Sequence, residues 1–291
     1  MTDGTVDSPP QKRPFAWQPL TGRGVAAFAG ASLGRLLLVQ LVFALVGAGV
    51  VVWFLDTAWF PAIQEAIRQL PPEGEIRDGS LEWQGDWPAR LAEGRFLALA
   101  VDLKHEGQAR SPAHLEVEFG EKDVKVFSLL GFAEAEYPRG WRVAFNRPEL
   151  EPWWGAWRPA ILAMVAGLVV AGSLASWALL AAVYCWPAWL IGFFADRDAG
   201  PGGSWRVAGA AQMPGALVLT AGIVCYGLGA LDLVRLAVAA GADLFLGWVY
   251  LFAGMLCLPR YPAAAGLAGN PFMVGGKATV KAGEEKEKGA G

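Results

Sequence analysis

The chain has 291 residues, of which 54% are hydrophobic and 18% are charged, and its formal net charge is −3 at pH 7. An average soluble domain carries about a quarter charged residues, so this composition favours a protein that lies partly in lipid. The acidic balance provides no basic patch for a phosphate backbone, and nucleic acid is therefore excluded as an expected partner.

The first apolar stretch predicts a transmembrane helix at residues 35–55. After Arg35 its only strongly polar residue is Gln40, and about twenty helical residues reach roughly 30 Å, the thickness of a bilayer core. Residues 1–34 are expected to form a cytoplasmic tail with an interfacial helix, which Thr21 caps and which continues into the span. The apolar run starts too late and is too long for a cleaved signal peptide, so an uncleaved anchor is expected.

The segment from 56 to 158 has the pattern of a small β-rich α+β domain. It opens with apolar residues at helical spacing, namely Trp59, Phe60, Ile63 and Ile67. They predict an amphipathic helix that ends at the prolines 71 and 72. The period then becomes two, and short strands are expected at 76–81 (a hairpin with an Asp-Gly turn), 96–103, 114–119, 124–126 and 141–145.

One strand carries the best candidate for a metal site. Alternation from 114 to 119 points Leu115, Val117 and Phe119 inward and His114, Glu116 and Glu118 outward. A zinc site would need a further nitrogen or sulfur ligand, and the only other histidine, His105, lies in a predicted turn. We therefore interpret these residues as the polar face of a half-exposed strand. With no cysteine between 56 and 158, the domain is expected to fold without a disulfide, a structural metal or a cofactor.

Three later apolar stretches predict three more transmembrane helices. The second span is expected at 159–194, with Pro159 in its first turn and Pro187 ending or kinking it. The tryptophans between 153 and 157 fit the aromatic belt at a membrane surface. The remaining segments are a cytoplasmic loop at 195–212, helices at 213–236 and 238–258, and a disordered cytoplasmic tail at 259–291.

Charges in the short segments predict the orientation of the spans. The N-terminal tail, the loop after the second span and the C-terminal tail carry most of the basic residues outside the domain, whereas the opposite short loop has only Arg235. The positive-inside rule therefore places both termini in the cytoplasm and the β-rich domain outside it. The lipid bilayer is the expected surroundings of the four helices. The cytoplasmic membrane of a bacterium is the expected location.

The charged residues near the third and fourth spans have structural interpretations. Asp232 and Arg235 are three residues apart at a helix end, a spacing typical of a surface pair. Asp243 is interpreted as the N-cap of the last helix. An intramembrane ionisable residue would instead be a functional candidate.

No catalytic residue is predicted, and the chain is not expected to be an enzyme. Ser173 and Ser176 lie in the second span, but no histidine or lysine of any span could act as their base. Contact with a neighbouring helix is the interpretation we prefer for them. The glycines at 22, 24 and 30 form no phosphate loop, because no strand precedes them and no Lys-Ser/Thr pair follows.

Two short segments, residues 76–81 (IRDGSL) and 210–217 (AAQMPGAL), carry a resemblance to a known group. The order of one span, an exported domain and three spans resembles uncharacterised bacterial multi-pass membrane proteins related to the Yip-type family. The resemblance covers residues 30–260 and is mostly architectural. It implies the membrane topology, and it carries over no functional residue.

Two functions from different classes remain open. The first is a non-enzymatic envelope protein whose extracytoplasmic domain binds or senses, with a membrane or envelope protein as partner. The second is a subunit of a membrane transporter, which would need polar groups or broken helices at mid-membrane. The sequence shows few such groups and no internal repeat, so the first hypothesis is preferred.

Overall fold

The computed structural model describes residues 16–129 and 131–260, and it contains a helical bundle with an inserted β domain. Four helical stretches are long and apolar enough to cross a membrane. By length and composition, the predicted number of spans is therefore confirmed. The β domain lies between the first and the second of them. The stretches are Leu33–Gln69, Arg147–Phe194, Pro201–Gly227 and Leu233–Leu256.

The entry to the first span is interrupted rather than continuous. Thr21 caps α1 (Gly22–Ala27) as predicted, since its side chain accepts a hydrogen bond from the N–H of Gly24 at 3.1 Å. The chain then passes through one 3₁₀ turn and becomes extended at Ala31. Because that extended backbone breaks the helical ladder, α2 (Leu33–Phe54) needs a cap of its own, which Ser32 supplies.

The first span continues into the β domain without a loop. A π turn at Leu55–Trp59 joins α2 to α3 (Phe60–Gln69). Pro61 has no N–H to donate to the carbonyl of Thr57, which favours a wider turn at this point. Leu70 is extended, as the proline that follows it requires, and α3 ends there as predicted.

The β domain contains two sheets. In the three-stranded sheet the order is β2-β1-β8, and in the five-stranded sheet it is β3-β4-β5-β6-β7. The predicted Asp78-Gly79 turn joins β1 to β2, and both residues have positive φ (50° and 86°), as a two-residue hairpin requires. The strands are β1 Gly74–Arg77, β2 Ser80–Trp83, β3 Ala89–Glu93, β4 Leu97–Val101, β5 Leu115–Phe119, β6 Asp123–Ser128, β7 Gly131–Glu136 and β8 Arg142–Ala144.

One apolar core joins α3 to both sheets. Its members come from α3 and its end, from the hairpins β1–β2 and β3–β4, and from the residues that follow β7 and β8. Strand β4 is buried along nearly its whole length. Such a strand packs on both faces, which explains its unbroken apolar sequence. The fully or nearly buried members include Ala66, Leu81, Leu91, Val101, Tyr137 and Phe145.

The second span is much longer than predicted. Helix α4 (Arg147–Phe194) is capped by Asn146 and begins at Arg147, twelve residues before the predicted start. Neither Pro159 nor Pro187 ends it, because the remaining hydrogen bonds of a long helix hold the turns around each missing donor. Its 48 residues extend about 72 Å, so α4 reaches beyond a bilayer core of about 30 Å.

The predicted cytoplasmic loop at 195–212 is wrong over most of its length. Residues 201–211 form α5 (Pro201–Ala211), and its second half is completely buried in the bundle. Small side chains allow the close packing of α5 against α4 and α7. The same glycine-rich composition is typical of loops, which is why the sequence predicted a loop here. Helix α6 (Met213–Gly227) follows after Gln212, and α7 (Leu233–Leu256) begins five residues earlier than predicted.

The contacts place three segments at one end of the bundle. Arg206 donates to the carbonyl of Ala29 at 2.5 Å, and Arg197 donates to the carbonyl of Leu258 at 2.7 Å. The segment before α2 therefore contacts α5, and the connection between α4 and α5 contacts the segment after α7. The β domain lies at the other end of the bundle.

Candidate functional site

The predicted outward face of β5 is buried. Glu116 and Glu118 are only 3% and 1% exposed, so the prediction that they face solvent is wrong. Alternation assigned them correctly to one face of the sheet, but the crossover between the parallel strands β4 and β5 covers that face. We call this crossover, residues 102–114, the strap.

Backbone N–H groups and buried carboxylates hold the strap in place. At its start, buried Asp102 accepts a hydrogen bond from the N–H of Gly107 at 2.9 Å. Near its end, Glu116 Oε2 accepts from the N–H of Ser111 at 3.0 Å. The strap thus closes on these carboxylates: both oxygens of Asp102 accept hydrogen bonds from it, the second from the N–H of Lys104 at 3.4 Å, whereas only one oxygen of Glu116 does.

His105 is the centre of this cluster and was predicted only as a turn residue. Its Nδ1 contacts Glu118 and its Nε2 lies 2.6 Å from Asp123 Oδ1. Burial by itself lowers the pKa of His105, but the hydrogen bonds to Asp123 and Glu118 outweigh it and raise the pKa above 6.5. Burial opposes the ionised form of Asp123 too, yet the hydrogen bond from His105 and nearby positive charge bring its pKa below 3.8.

Two oxygen atoms of the cluster have no partner. Glu116 Oε1 and Glu118 Oε2 are buried without a hydrogen bond in the described part of the chain. His114 does not join them, so the three predicted metal-ligand candidates are not brought together. Among residues 16–129 and 131–260, no group of three histidine, cysteine or acidic side chains is placed to hold a metal ion.

The strap ends at the contact between the β domain and the bundle. His114 Nδ1 lies 2.6 Å from the hydroxyl of Tyr226, near the end of α6, and the two rings stack with centroids 5.4 Å apart. Phe96, just before β4, packs edge-on against Tyr226 and against Phe54 at the end of α2. This aromatic cluster joins the strap to two of the helices that are apolar enough to cross a membrane, α2 and α6.

Arg95 extends the same contact to the turn between α6 and α7. Its guanidinium donates to the carbonyl of Gly229 at 3.1 Å and to that of Leu231 at 3.4 Å. Gly229 has φ of +78°, a conformation that exposes the turn carbonyls and favours glycine. We call Arg95, Phe96, His114, Tyr226 and the turn 228–231 the docking joint.

A second polar site lies inside the bundle, where α5 meets α6. Pro214 has no N–H for the carbonyl of Ala210, and the ladder breaks at Gln212. Gln40 of α2 is 2% exposed and donates to the carbonyl of Gly209 at 3.3 Å, while Gln212, equally buried, donates to Ala208. The third span thus has a local interruption at Gln212, where the backbone stays α-helical (φ −75°, ψ −23°), with two buried amides beside it.

Asp243 lies opposite this break, and its prediction as an N-cap is wrong. It is the eleventh of the 24 residues of α7, whose cap is Asp232 instead. Asp232 also contacts Arg235 at 3.6 Å, so the predicted surface pair is present. The carboxylate of Asp243 lies against Gly215 in the first turn of α6, where an added Cβ would come within 2.3 Å of its Oδ1.

The remaining sequence candidates are not assembled into a site. Ser173 is half-buried and Ser176 is exposed on α4, and the nearby small residues line an apolar groove of about 640 Å³ between α2 and α4. The glycines at 22 and 24 belong to α1 and its packing against α7 and the preceding turn.

No family model, curated protein or solved structure matches this chain. The resemblance to Yip-type proteins therefore stays a prediction. What the site can do has to be argued from its geometry.

Proposed function

We propose that this chain is a non-enzymatic membrane protein whose β domain lies outside the cytoplasm and acts as a binding or sensing module. The docking joint is the observation that carries the proposal. A domain tethered only by its two ends would move independently of the helices, whereas this one is held by an ion–dipole contact, a hydrogen bond and stacked rings. A change in the domain can therefore bias the bundle.

The strap supplies the physical route for such a change. His105 ties its first part to two carboxylates, and His114 ties its last residue to Tyr226. A change of charge at His105 alters the pairing of Glu118, whose other oxygen has no partner. Because only eight residues lie between the two histidines, a shift of the strap reaches the docking joint directly.

The location belongs to the same proposal. We place the chain in the bacterial cytoplasmic membrane with both termini inside, because the basic segments meet at the end of the bundle that is opposite to the β domain. An envelope or membrane protein on the outer side is the partner that a contact-based module would take.

Hydrogen exchange of the full chain in lipid nanodiscs tests the proposal. Protection factors should be measured on either side of the raised pKa of His105, for the strap and for the turn 228–231. In the wild-type chain both segments should lose protection above that pKa. In His105→Gln the protection of neither segment should change with pH. In the double variant Arg95→Ala, His114→Ala, only the strap should lose protection.

Arg139→Ala, an exposed site of the β domain away from the joint, is the matched control. It should behave as the wild-type chain does. A wild-type turn that stays unchanged while the strap opens would show that the domain does not communicate with the bundle.

A subunit of a transporter is the second candidate, and Asp243 with the break at Gln212 favours it. An ionisable side chain at mid-membrane beside an interrupted helix is the arrangement from which coupling sites are built. Proton entry into vesicles that contain the protein and a pH-sensitive dye should then be lost in Asp243→Asn. Asp232→Asn, which changes the end of the same helix, should retain proton entry. Equal rates of proton entry for the wild type, for both variants and for empty vesicles would exclude this function.

A further inference from the structure

We propose that the hairpin between β6 and β7 contacts the outer leaflet of the bilayer, with Leu129 and Phe132 inserted among the lipids. This gives the β domain a second attachment to the membrane, separate from the docking joint. It is an inference beyond the proposed sensing function, and it holds whether or not the domain senses.

The exposed apolar side chains of the hairpin are the first observation. Leu129 is 58% exposed and Phe132 is 64% exposed, whereas the large apolar side chains of β5 and β6 are partly buried. Strand β7 forms the edge of its sheet and is exposed along its whole length. Two large apolar groups at one hairpin are costly in water and favourable in lipid.

The strand register shows which way the hairpin points. Leu115 of β5 pairs with Ser128 of β6, which in turn pairs with Gly131 of β7. One step further along this ladder, Leu129 is level with His114, the residue that contacts Tyr226. The hairpin therefore lies at the end of the sheet that faces the membrane helices.

The helices mark the level of the bilayer surface at this end. Trp153 and Trp157 stack on α4 and are about half exposed, as the aromatic belt of a membrane protein requires. Next to them Arg158 pairs with Asp56 at 2.6 Å, which fits the headgroup region. Phe96 of the docking joint packs against Phe54, two residues before Asp56 in the chain, so the hairpin that extends from the sheet beside the joint reaches lipid.

The distribution of charged residues along the sheet favours contact of the hairpin with lipid. The carboxylates of β7 and the acidic start of β6 are at the far end of the ladder, where Asp123 pairs with Glu136. Close to the hairpin the guanidinium of Arg110 lies 3.9 Å above the ring of Phe127, which itself contacts Phe132. Positive charge beside exposed apolar groups suits the headgroups of phospholipids.

Spin labels on the full chain in phosphatidylcholine vesicles test this inference. Leu129→Cys is labelled in a background in which Cys185, Cys225 and Cys257 are replaced by Ala. Lys122→Cys is the matched control, because Lys122 is an exposed residue in the hairpin at the opposite end of β6. The readout is the accessibility of each label to oxygen, which concentrates in lipid, and to a nickel chelate, which stays in water.

We expect a several-fold higher ratio of oxygen to nickel accessibility at Leu129 than at Lys122. Equal ratios at the two sites would place the hairpin in water and overturn the proposal. Low accessibility to both reagents at Leu129 would show that protein covers the hairpin, and would overturn it as well. A label at Phe132→Cys repeats the measurement if Leu129→Cys fails to fold.

Discussion

A histidine between two carboxylates makes the β domain sensitive to pH. The raised pKa of His105 means that its stabilising effect is fully present below its ordinary value of 6.5 and is lost as the pH rises through the folded-state value. The lowered pKa of Asp123 acts at the acid side: its contribution is present above 3.8 and is lost as the pH falls through the folded-state value. The cluster is therefore most stable between these limits.

His105→Gln should remove this dependence. Below the raised pKa the variant should lose about 1.5–3 kcal/mol of local stability, the usual contribution of a hydrogen bond to a charged group, and the difference should shrink at higher pH. Hydrogen exchange of the β5 amides in the full chain measures it. Gln108→Ala, an exposed change in the same strap, is the control, and an equal pH profile in both variants would contradict the assignment.

Gly215 is the residue that allows α6 to approach Asp243. A Cβ at this position would come within 2.3 Å of the side-chain oxygen and 2.4 Å of the backbone oxygen of Asp243. Gly215→Ala should therefore force the helices apart and destabilise the bundle by about 1–3 kcal/mol.

Thermal unfolding in detergent measures this effect. Gly241→Ala is the matched control, because a Cβ there meets no atom within 4 Å. Replacement of a helical glycine in open space should be neutral or stabilising by up to about 1 kcal/mol. Equal melting temperatures for the two variants would show that the close approach is absent in solution.

At the scale of elements, α3 covers the core of the β domain. The apolar face of an amphipathic helix can pack on strands of its own domain, on lipid or on a partner, and the sequence of α3 is compatible with each. The structure buries Phe60, Ala66 and Ile67, and α3 packs on β3 and β4. The face is thus occupied by the domain itself.

Ile67→Asp should prevent the domain from folding, since a carboxylate would replace a buried side chain without a partner. The cost should exceed about 3 kcal/mol, so the amount of full-length protein in the membrane should fall. Glu65→Asp brings aspartate to an exposed position of the same helix and should leave the amount unchanged. Normal abundance of Ile67→Asp would mean that the helix is not part of the core.

At the scale of the whole molecule, the four spans make a prediction about sidedness. Cysteines introduced at Gly107, in the strap, and at Gly283, near the C-terminus, should report opposite sides of the membrane. Four crossings require this, because an even number of spans separates the two termini while one span separates the N-terminus from the β domain. Labelling of whole cells with an impermeant reagent measures it, and labelling of both positions from one side would contradict the topology.

The sequence by itself determined the number of spans, the position of the inserted domain and the hairpin at Asp78-Gly79. Long apolar runs, changes of period and a dipeptide with positive φ are local signals, and neighbours in the fold do not alter them. The tertiary structure decided what covers each element. Glu116 has the alternation of an exposed face, yet the strap buries it, and His105 looked like a turn residue until β5 and β6 supplied its partners. Asp243 could be an N-cap or a mid-membrane carboxylate by sequence, and only the actual start of α7 at Leu233 separates the two. Burial and pairing depend on residues that are distant in the chain, so no local pattern contains them.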